Sequence, residues 1–197
     1  MFPSHDPMRH FSNNSQFTLS FFYYTDAVGG SIDTIFGNNN TNPGQEFRLY
    51  DTEAGQTLNL SVGGKSLVSN IGIASSQWHF ITVRVYNGTA ELLVNNTLLN
   101  SSDGISDFNS SMDLYFGGGD NSTSHTSIDG RIDEITMWNR YVSNCELRYI
   151  YNELDGSNIY NRTEDNSCSD KVTFNILIVT GKHTYSTWLF RLFYHLY

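Results

Sequence analysis

Two tight turns eight residues apart constrain this chain most strongly. They lie in "QWHFITVRVYNGTAELLVNNTLL", residues 77–99. Asn87-Gly88 is the strongest short hairpin signal, because both central positions of such a turn need positive φ. Asn95-Asn96 makes a second turn of the same kind. Between them the side chains alternate: Ile81, Val83 and Val85 fall on one side, and Thr82, Arg84 and Tyr86 on the other. A period of two with turns this short permits only a three-stranded antiparallel meander.

The same grammar extends through the first 165 residues. "FTLSFFYY" (17–24), "EFRLYD" (46–51), "TLNLSV" (57–62), "MDLYF" (112–116) and "GRIDEITMW" (130–138) read as strands. "GNNNTNPG" (37–44) reads as a turn cluster and "GGGDNSTSHTS" (117–127) as a loop. One helix is predicted. Ser143 and Glu146 fit the S-x-x-E capping box, and Leu147, Ile150, Tyr151 and Leu154 follow at helical spacing before Asp155-Gly156. The expected class is all-β: a two-sheet antiparallel jelly-roll sandwich with one short C-terminal helix.

Charge narrows the partners. The formal net charge is −9, with Lys and Arg numbering 11 against 20 acids. No basic stripe exists to neutralise phosphates, which excludes nucleic acid. Sugars, proteins and cations remain. N-x-[ST] sequons occur at Asn13, Asn39, Asn59, Asn87, Asn95, Asn100, Asn109, Asn121 and Asn161, against roughly four expected by chance. The excess points to an extracellular glycoprotein, secreted or an ectodomain. The opening "MFPSHDPMRHF" lacks an apolar signal-peptide core, so an extracellular role implies a longer parent chain. Cys145 and Cys168 are the two cysteines; in an oxidising compartment a single disulfide between them is expected.

The end differs in character. "KVTFNILIVTGKHTYSTWLFRLFYHLY" (171–197) is apolar and aromatic but interrupted by Lys182, His183 and Arg191. Three readings stand open: a further strand, a truncated membrane-proximal segment, or sequence foreign to the fold. Membrane contact is expected only for the second. The expected organisation is an N-terminal remnant over 1–14, a jelly roll over 15–160 and a tail over 161–197 outside the core.

Two stretches carry a family resemblance. "QWHFITVRVYNGTAELLVNNTLL" resembles the W-H-h-h-x-h-x-h-x-x-G-x-h-x-h-h-h-N-G run of laminin G-like domains (h, apolar). "LYFGGG…IDGRIDEITMWNRYVSNCELRYIYN" resembles their closing strand, loop, strand and capped helix, a pattern pentraxins share. Both families belong to the concanavalin A-like lectin/glucanase superfamily, and the similarity covers roughly residues 15–155. The chain departs at Asn96, where the family has Gly; Asn tolerates the same turn. The family's strand ahead of "FTLSFFYY" has few residues left to form it, so an incomplete sheet edge is expected.

The resemblance implies a non-catalytic module that binds a glycan or an extracellular protein. A ligand-free spacer and a glucanase are the alternatives. Glucanases of this superfamily place paired acids on one strand face, as E-x-D-x-x-E or E-x-D-x-E. The nearest approach here is Asp133-Glu134, and adjacent strand residues point to opposite faces. No H-E-x-x-H or G-x-S-x-G occurs. "GGKS" (63–66) lacks the first Gly of a P-loop and reads as a turn; His79 reads as a strand-packing residue. Within "IDGRIDEITMWNR", Gly130 is expected to admit the chain to the strand. Asp133 is expected to bond backbone, Glu134 to be solvated and Trp138 to cap the sandwich core. Trp78 and Ser143 are further structural residues. The resemblance also implies Ca²⁺ at one rim, with Asp120, Asn121 and Asp51 as ligands. Asn121 is itself a sequon, and this loop alone supplies too few oxygens for a Ca²⁺ shell.

Overall fold

The computed structural model describes residues 16–26, 32–38, 44–51, 57–69, 71–106, 114–118 and 125–154. Eleven strands and one helix follow in order: β1 (Phe17–Thr25), β2 (Ile32–Gly37), β3 (Phe47–Asp51), β4 (Leu58–Val62), β5 (Lys65–Val68), β6 (Trp78–Tyr86), β7 (Thr89–Val94), β8 (Thr97–Asp103), β9 (Tyr115–Phe116), β10 (His125–Ser127), β11 (Gly130–Trp138) and α1 (Asn144–Leu154). They form two sheets. The first has the order β11-β1-β6-β7-β8; the second runs β10-β2-β3-β4-β5, with β9 also on β2.

The meander is β6-β7-β8. Its turns have the left-handed backbone that the sequence requires, with φ of 48° at Asn87, 76° at Gly88, 49° at Asn95 and 62° at Asn96. Pairing is antiparallel except where β10 lies parallel to β2. Three strands, β2, β5 and β10, fall in stretches that carried no clear alternation. Gly63-Gly64 is the turn that joins β4 to β5, as "GGKS" implied.

The main core lies between the sheets. Phe17, Leu19, Phe21 and Tyr23 of β1 face Phe36, Phe47 and Leu49 of the second sheet. Aromatic edges hold the layers: Phe17 meets Phe47 at 5.4 Å and Phe21 meets Phe36 at 6.0 Å, both near perpendicular. A second, smaller core lies on the opposite face of the first sheet, where Phe22, Phe80, Leu93 and Trp138 are covered by Val142 and Leu147. Tyr151 of α1 stacks on Phe22 at 6.2 Å. The alternation of β6 therefore marks two buried faces. Its polar side includes Arg84, only 2% exposed, which pairs with Glu91 at 2.6 Å and donates to the Val142 carbonyl at 3.0 Å and Asn144 Oδ1 at 2.7 Å. That buried cation fixes the chain just ahead of α1.

Trp138 belongs to the second core, not to the sandwich core as expected. The reason is a bulge in β11. Phe22 pairs with Asp133 but Ser20 pairs with Thr136, so Glu134 and Ile135 together oppose Phe21. Glu134 adopts a φ of 51°. One extra residue reverses the facing of every later side chain. Ile132 therefore points into the sandwich, while Trp138 points beneath α1. Asp133 Oδ1 accepts the Glu134 N–H at 2.8 Å, a backbone bond at the bulge itself. Glu134, expected in solvent, is half-buried. Gly130 is needed for close approach: a Cβ there would lie 2.0 Å from the Tyr24 carbonyl oxygen.

Among the described residues β11 is an edge strand. Residues 1–14 and the tail 161–197 lie outside the described residues, as do Asn13, Asn39, Asn109, Asn121 and Asn161. Of the other sequons, Asn87 and Asn95 are exposed in turns. Asn59 and Asn100 are half-buried, and Asn100 Nδ2 donates to the Val68 carbonyl at 2.8 Å.

Candidate functional site

One end of the sandwich gathers chain segments far apart in sequence. The Asp26 N–H donates to the Asp129 carbonyl at 2.9 Å, and the Ser76 N–H to the Thr25 carbonyl at 2.8 Å. The Asp129 N–H donates to Asp33 Oδ2 at 3.3 Å, and the Asp33 N–H to Asp51 Oδ1 at 3.0 Å. Tyr23 completes the chain of bonds by donating its hydroxyl to Asp51 Oδ2 at 3.2 Å. The rim is thus built from the end of β1, the starts of β2 and β11, the end of β3 and the loop before β6.

Asp51 ties the two sheets together. Burial pushes its carboxyl above the ordinary value, assisted by the charge of Asp33 and opposed by the bonds from the Asp33 amide and the Tyr23 hydroxyl. Burial and the Asp51 charge push the Tyr23 phenol upward in turn. Asp51 and Asp33 offer two carboxylates here. Asp120 and Asn121, the other expected Ca²⁺ ligands, lie outside the described residues. Among the described residues no three His, Cys, Asp or Glu side chains converge as a metal centre.

On the opposite face of β1 from Tyr23 and Asp51 stands a row of three larger side chains. Tyr24 of β1 pairs with Arg131 of β11 on one side and Trp78 of β6 on the other, so all three project from one face. Trp78 meets the Tyr24 ring at 5.4 Å and 60°. The Arg131 guanidinium lies 4.7 Å from the Tyr24 ring centroid. Arg131 also reaches both oxygens of Asp26 at 3.4 Å. Trp78, expected to serve structure alone, is 43% exposed. The next row inward, Phe22 and Phe80, is closed by Tyr151. The open row therefore begins where the cover of Tyr151 ends.

The other predicted residues serve the scaffold. Ser143 and Glu146 make both bonds of the capping box: the Glu146 N–H donates to Ser143 Oγ at 3.3 Å and the Ser143 N–H to Glu146 Oε2 at 2.8 Å. Arg140 grips the same carboxylate at 2.7 and 3.0 Å. Burial alone would raise the Glu146 carboxyl, but the Arg140 guanidinium and the Ser143 donors pull it below its ordinary value. His79 is buried, with Nε2 2.8 Å from the Ala74 carbonyl. Cys145 lies in the first turn of α1, and Cys168 lies outside the described residues. At Asp133-Glu134 the bulge suspends strict alternation, so opposite facing no longer argues against a carboxylate pair. What stands against it is that Asp133 is exposed and spends one oxygen on its neighbour's amide.

Sequence reasoning missed Tyr24, Asp26, Asp33 and Arg131. Each is unremarkable where it stands in the sequence; the pairing of β11, β1 and β6 gathers Tyr24, Asp26 and Arg131, and the bond from the Asp129 amide brings Asp33 of β2 to the same end.

The comparisons with known proteins agree with this architecture. A candidate carbohydrate binding protein from Bacteroides ovatus matches with a TM-score of 0.58 and 20% identity, over 75% of this chain and 42% of its own. The present chain thus spans less than half of that protein. The Ruminococcus gnavus IT-sialidase CBM40, solved with α2,3 sialyllactose, matches with a TM-score of 0.59 and 18% identity, over 75% and 89% of the two chains. A heptameric SAP-like pentraxin from Limulus polyphemus matches with a TM-score of 0.51 and 17% identity, over 70% of each chain. At these identities the likeness establishes the fold. No curated protein matches the chain. The model of the Laminin_G_3 family, described as the concanavalin A-like lectin/glucanases superfamily, matches residues 4–148. With its two-sheet sandwich and that match over most of its length, the chain belongs to the concanavalin A-like lectin/glucanases superfamily.

Proposed function

We propose that this chain is a non-catalytic, extracellular module that binds carbohydrate at the rim formed by β1, β6 and β11. The observation that carries the reading is the exposed indole of Trp78, braced by Tyr24 and set beside Arg131 and Asp26. A fixed aromatic plate next to hydrogen-bonding groups is what a sugar ring requires: an apolar face to cover its C–H face, and donors and acceptors for its hydroxyls. The carbohydrate-binding folds among its structural neighbours support the same reading. The sequons support the compartment, in which the Cys145–Cys168 bridge is expected.

Calcium belongs to this proposal. Asp51 is a desolvated carboxylate beside Asp33, and Asp120 and Asn121 come shortly before β10 in the sequence. These residues would hold Ca²⁺, whose charge would bridge the rim to ligand oxygens. A rise in melting temperature in millimolar Ca²⁺, absent from Asp51→Asn, is the expected result.

A glycan array probed with the secreted domain and with Trp78→Ala tests the main reading. Binding by the wild type that the variant lacks is expected. A folded domain that binds no glycan would return the chain to a spacer or protein-binding role. Release of reducing sugar from β-glucans would make it a hydrolase.

A further inference from the structure

Resting on the glycan reading and narrowing it, we infer that the rim row accepts a neutral sugar ring and discriminates against anionic glycans. The placement of charge carries this. Arg131 is the one cation of the row, and both its nearest acceptors belong to Asp26. The pair is loose and open to solvent, with side chains 61% and 42% exposed. An arginine that recognises a carboxylate or sulfate presents its fork to the ligand; this one already faces a carboxylate. The Asp26 N–H donates to the Asp129 carbonyl, which brings a second exposed acid to the same strand ends. One guanidinium, already faced by Asp26, therefore stands at strand ends that also carry Asp129, in a chain of formal net charge −9. An anionic sugar placed there meets like charge.

A neutral sugar meets none of this cost. Each hydroxyl both donates and accepts, so two neighbouring hydroxyls match a carboxylate and a guanidinium lying side by side. Trp78 supplies the stacking plate, and its hold on Tyr24 limits the freedom lost on binding.

Calorimetry with two classes of probe tests the inference on the intact chain. The neutral class is lactose, cellotetraose and mannotriose; the anionic class is 3′-sialyllactose and polygalacturonate. Binding to a member of the neutral class is expected, with every anionic probe weaker by about tenfold or more. Trp78→Ala should weaken neutral binding about tenfold or more, and Trp78→Phe by less. Both variants are first checked for an unchanged melting transition. Asp26→Asn should narrow the gap between the classes by raising anionic affinity. A preference for the anionic class, lost in Trp78→Ala, would overturn this inference while leaving the glycan reading intact. Neutral binding unchanged in both Trp78 variants would place the ligand elsewhere and overturn it too. Silence of the folded wild type toward both classes would overturn the inference and the glycan reading together.

Discussion

Deleting Met137 should unseat Trp138. With one residue gone beyond the bulge, Trp138 takes the place of Met137 opposite Leu19 and changes faces, whereas deleting Glu134 would only remove the bulge and keep Trp138 opposite Thr18. Trp138 is 4% exposed beneath α1. A buried Trp removes on the order of 200 Å² from water, worth about 5 kcal/mol at about 25 cal/mol per Å². Allowing for a compact unfolded chain lowers that to about 3–4 kcal/mol. Domains of this size are stable by about 5–15 kcal/mol, so the deletion should remove a large fraction of the total. Substitutions separate the bulge from its side chain. Glu134→Gly removes the cost of a left-handed conformation, about 1 kcal/mol, and loses a similar amount to backbone entropy. It should be nearly neutral. Glu134→Val puts a β-branched residue at a φ of 51° and should cost about 1–2 kcal/mol. Urea unfolding of the four proteins at a common m value measures all three differences. A Met137 deletion as stable as wild type, or a Val variant equal to the Gly variant, would refute the argument that the bulge and the register beyond it set the facing of Trp138.

Three further predictions concern the scaffold. At α1, Ser143→Ala should cost about 1 kcal/mol, and Leu147→Ala, at a fully buried site, about 2–5 kcal/mol. Because Glu146 has its folded pKa depressed, its stabilisation is complete above the pKa of an unfolded Glu and is lost as pH falls through the lower folded value. The melting temperature of Glu146→Gln should therefore lie below wild type near neutrality and converge with it in acid. Gly130→Ala should cost about 3 kcal/mol or more, because the added Cβ meets the Tyr24 backbone and not a movable side chain; a melt matching wild type would show that β1 and β11 separate easily. Mass spectrometry of protein secreted from eukaryotic cells should find Cys145 and Cys168 joined; two alkylatable thiols would end that expectation.

What could be read from the sequence followed from local rules. The β6-β7-β8 meander was legible because Asn87-Gly88 and Asn95-Asn96 fix the turns and the alternation fixes the faces. The helix was legible because Ser143 and Glu146 declare its start. β2, β5 and β10 were not, since Ile35 and Phe36 are both buried around an irregular pairing, and β5 and β10 are only four and three residues long. Trp138 went to the wrong face because nothing in "RIDEITMW" announces an inserted residue; a Gly at 134 would have hinted at it. The rim was partly legible. Asp51 and Trp78 drew notice separately, but their common end of the sandwich depends on strand order, which sequence spacing does not reveal. The sequence places Arg84 only on the polar side of β6; that this side is also buried follows from Val142 and Asn144 coming back to accept its donors.

The central claim is that this domain recognises carbohydrate at the β1–β6–β11 rim. Nuclear magnetic resonance titration with the best-binding oligosaccharide, followed through assigned backbone amides and the Trp78 indole N–H, tests it most directly. The account predicts that the shifts cluster at Tyr24, Asp26, Trp78, Asp129 and Arg131, and spare the outer face of the second sheet around Arg48, Tyr50 and Asn59. Shifts centred on that second face, with the Trp78 indole unmoved, would contradict it.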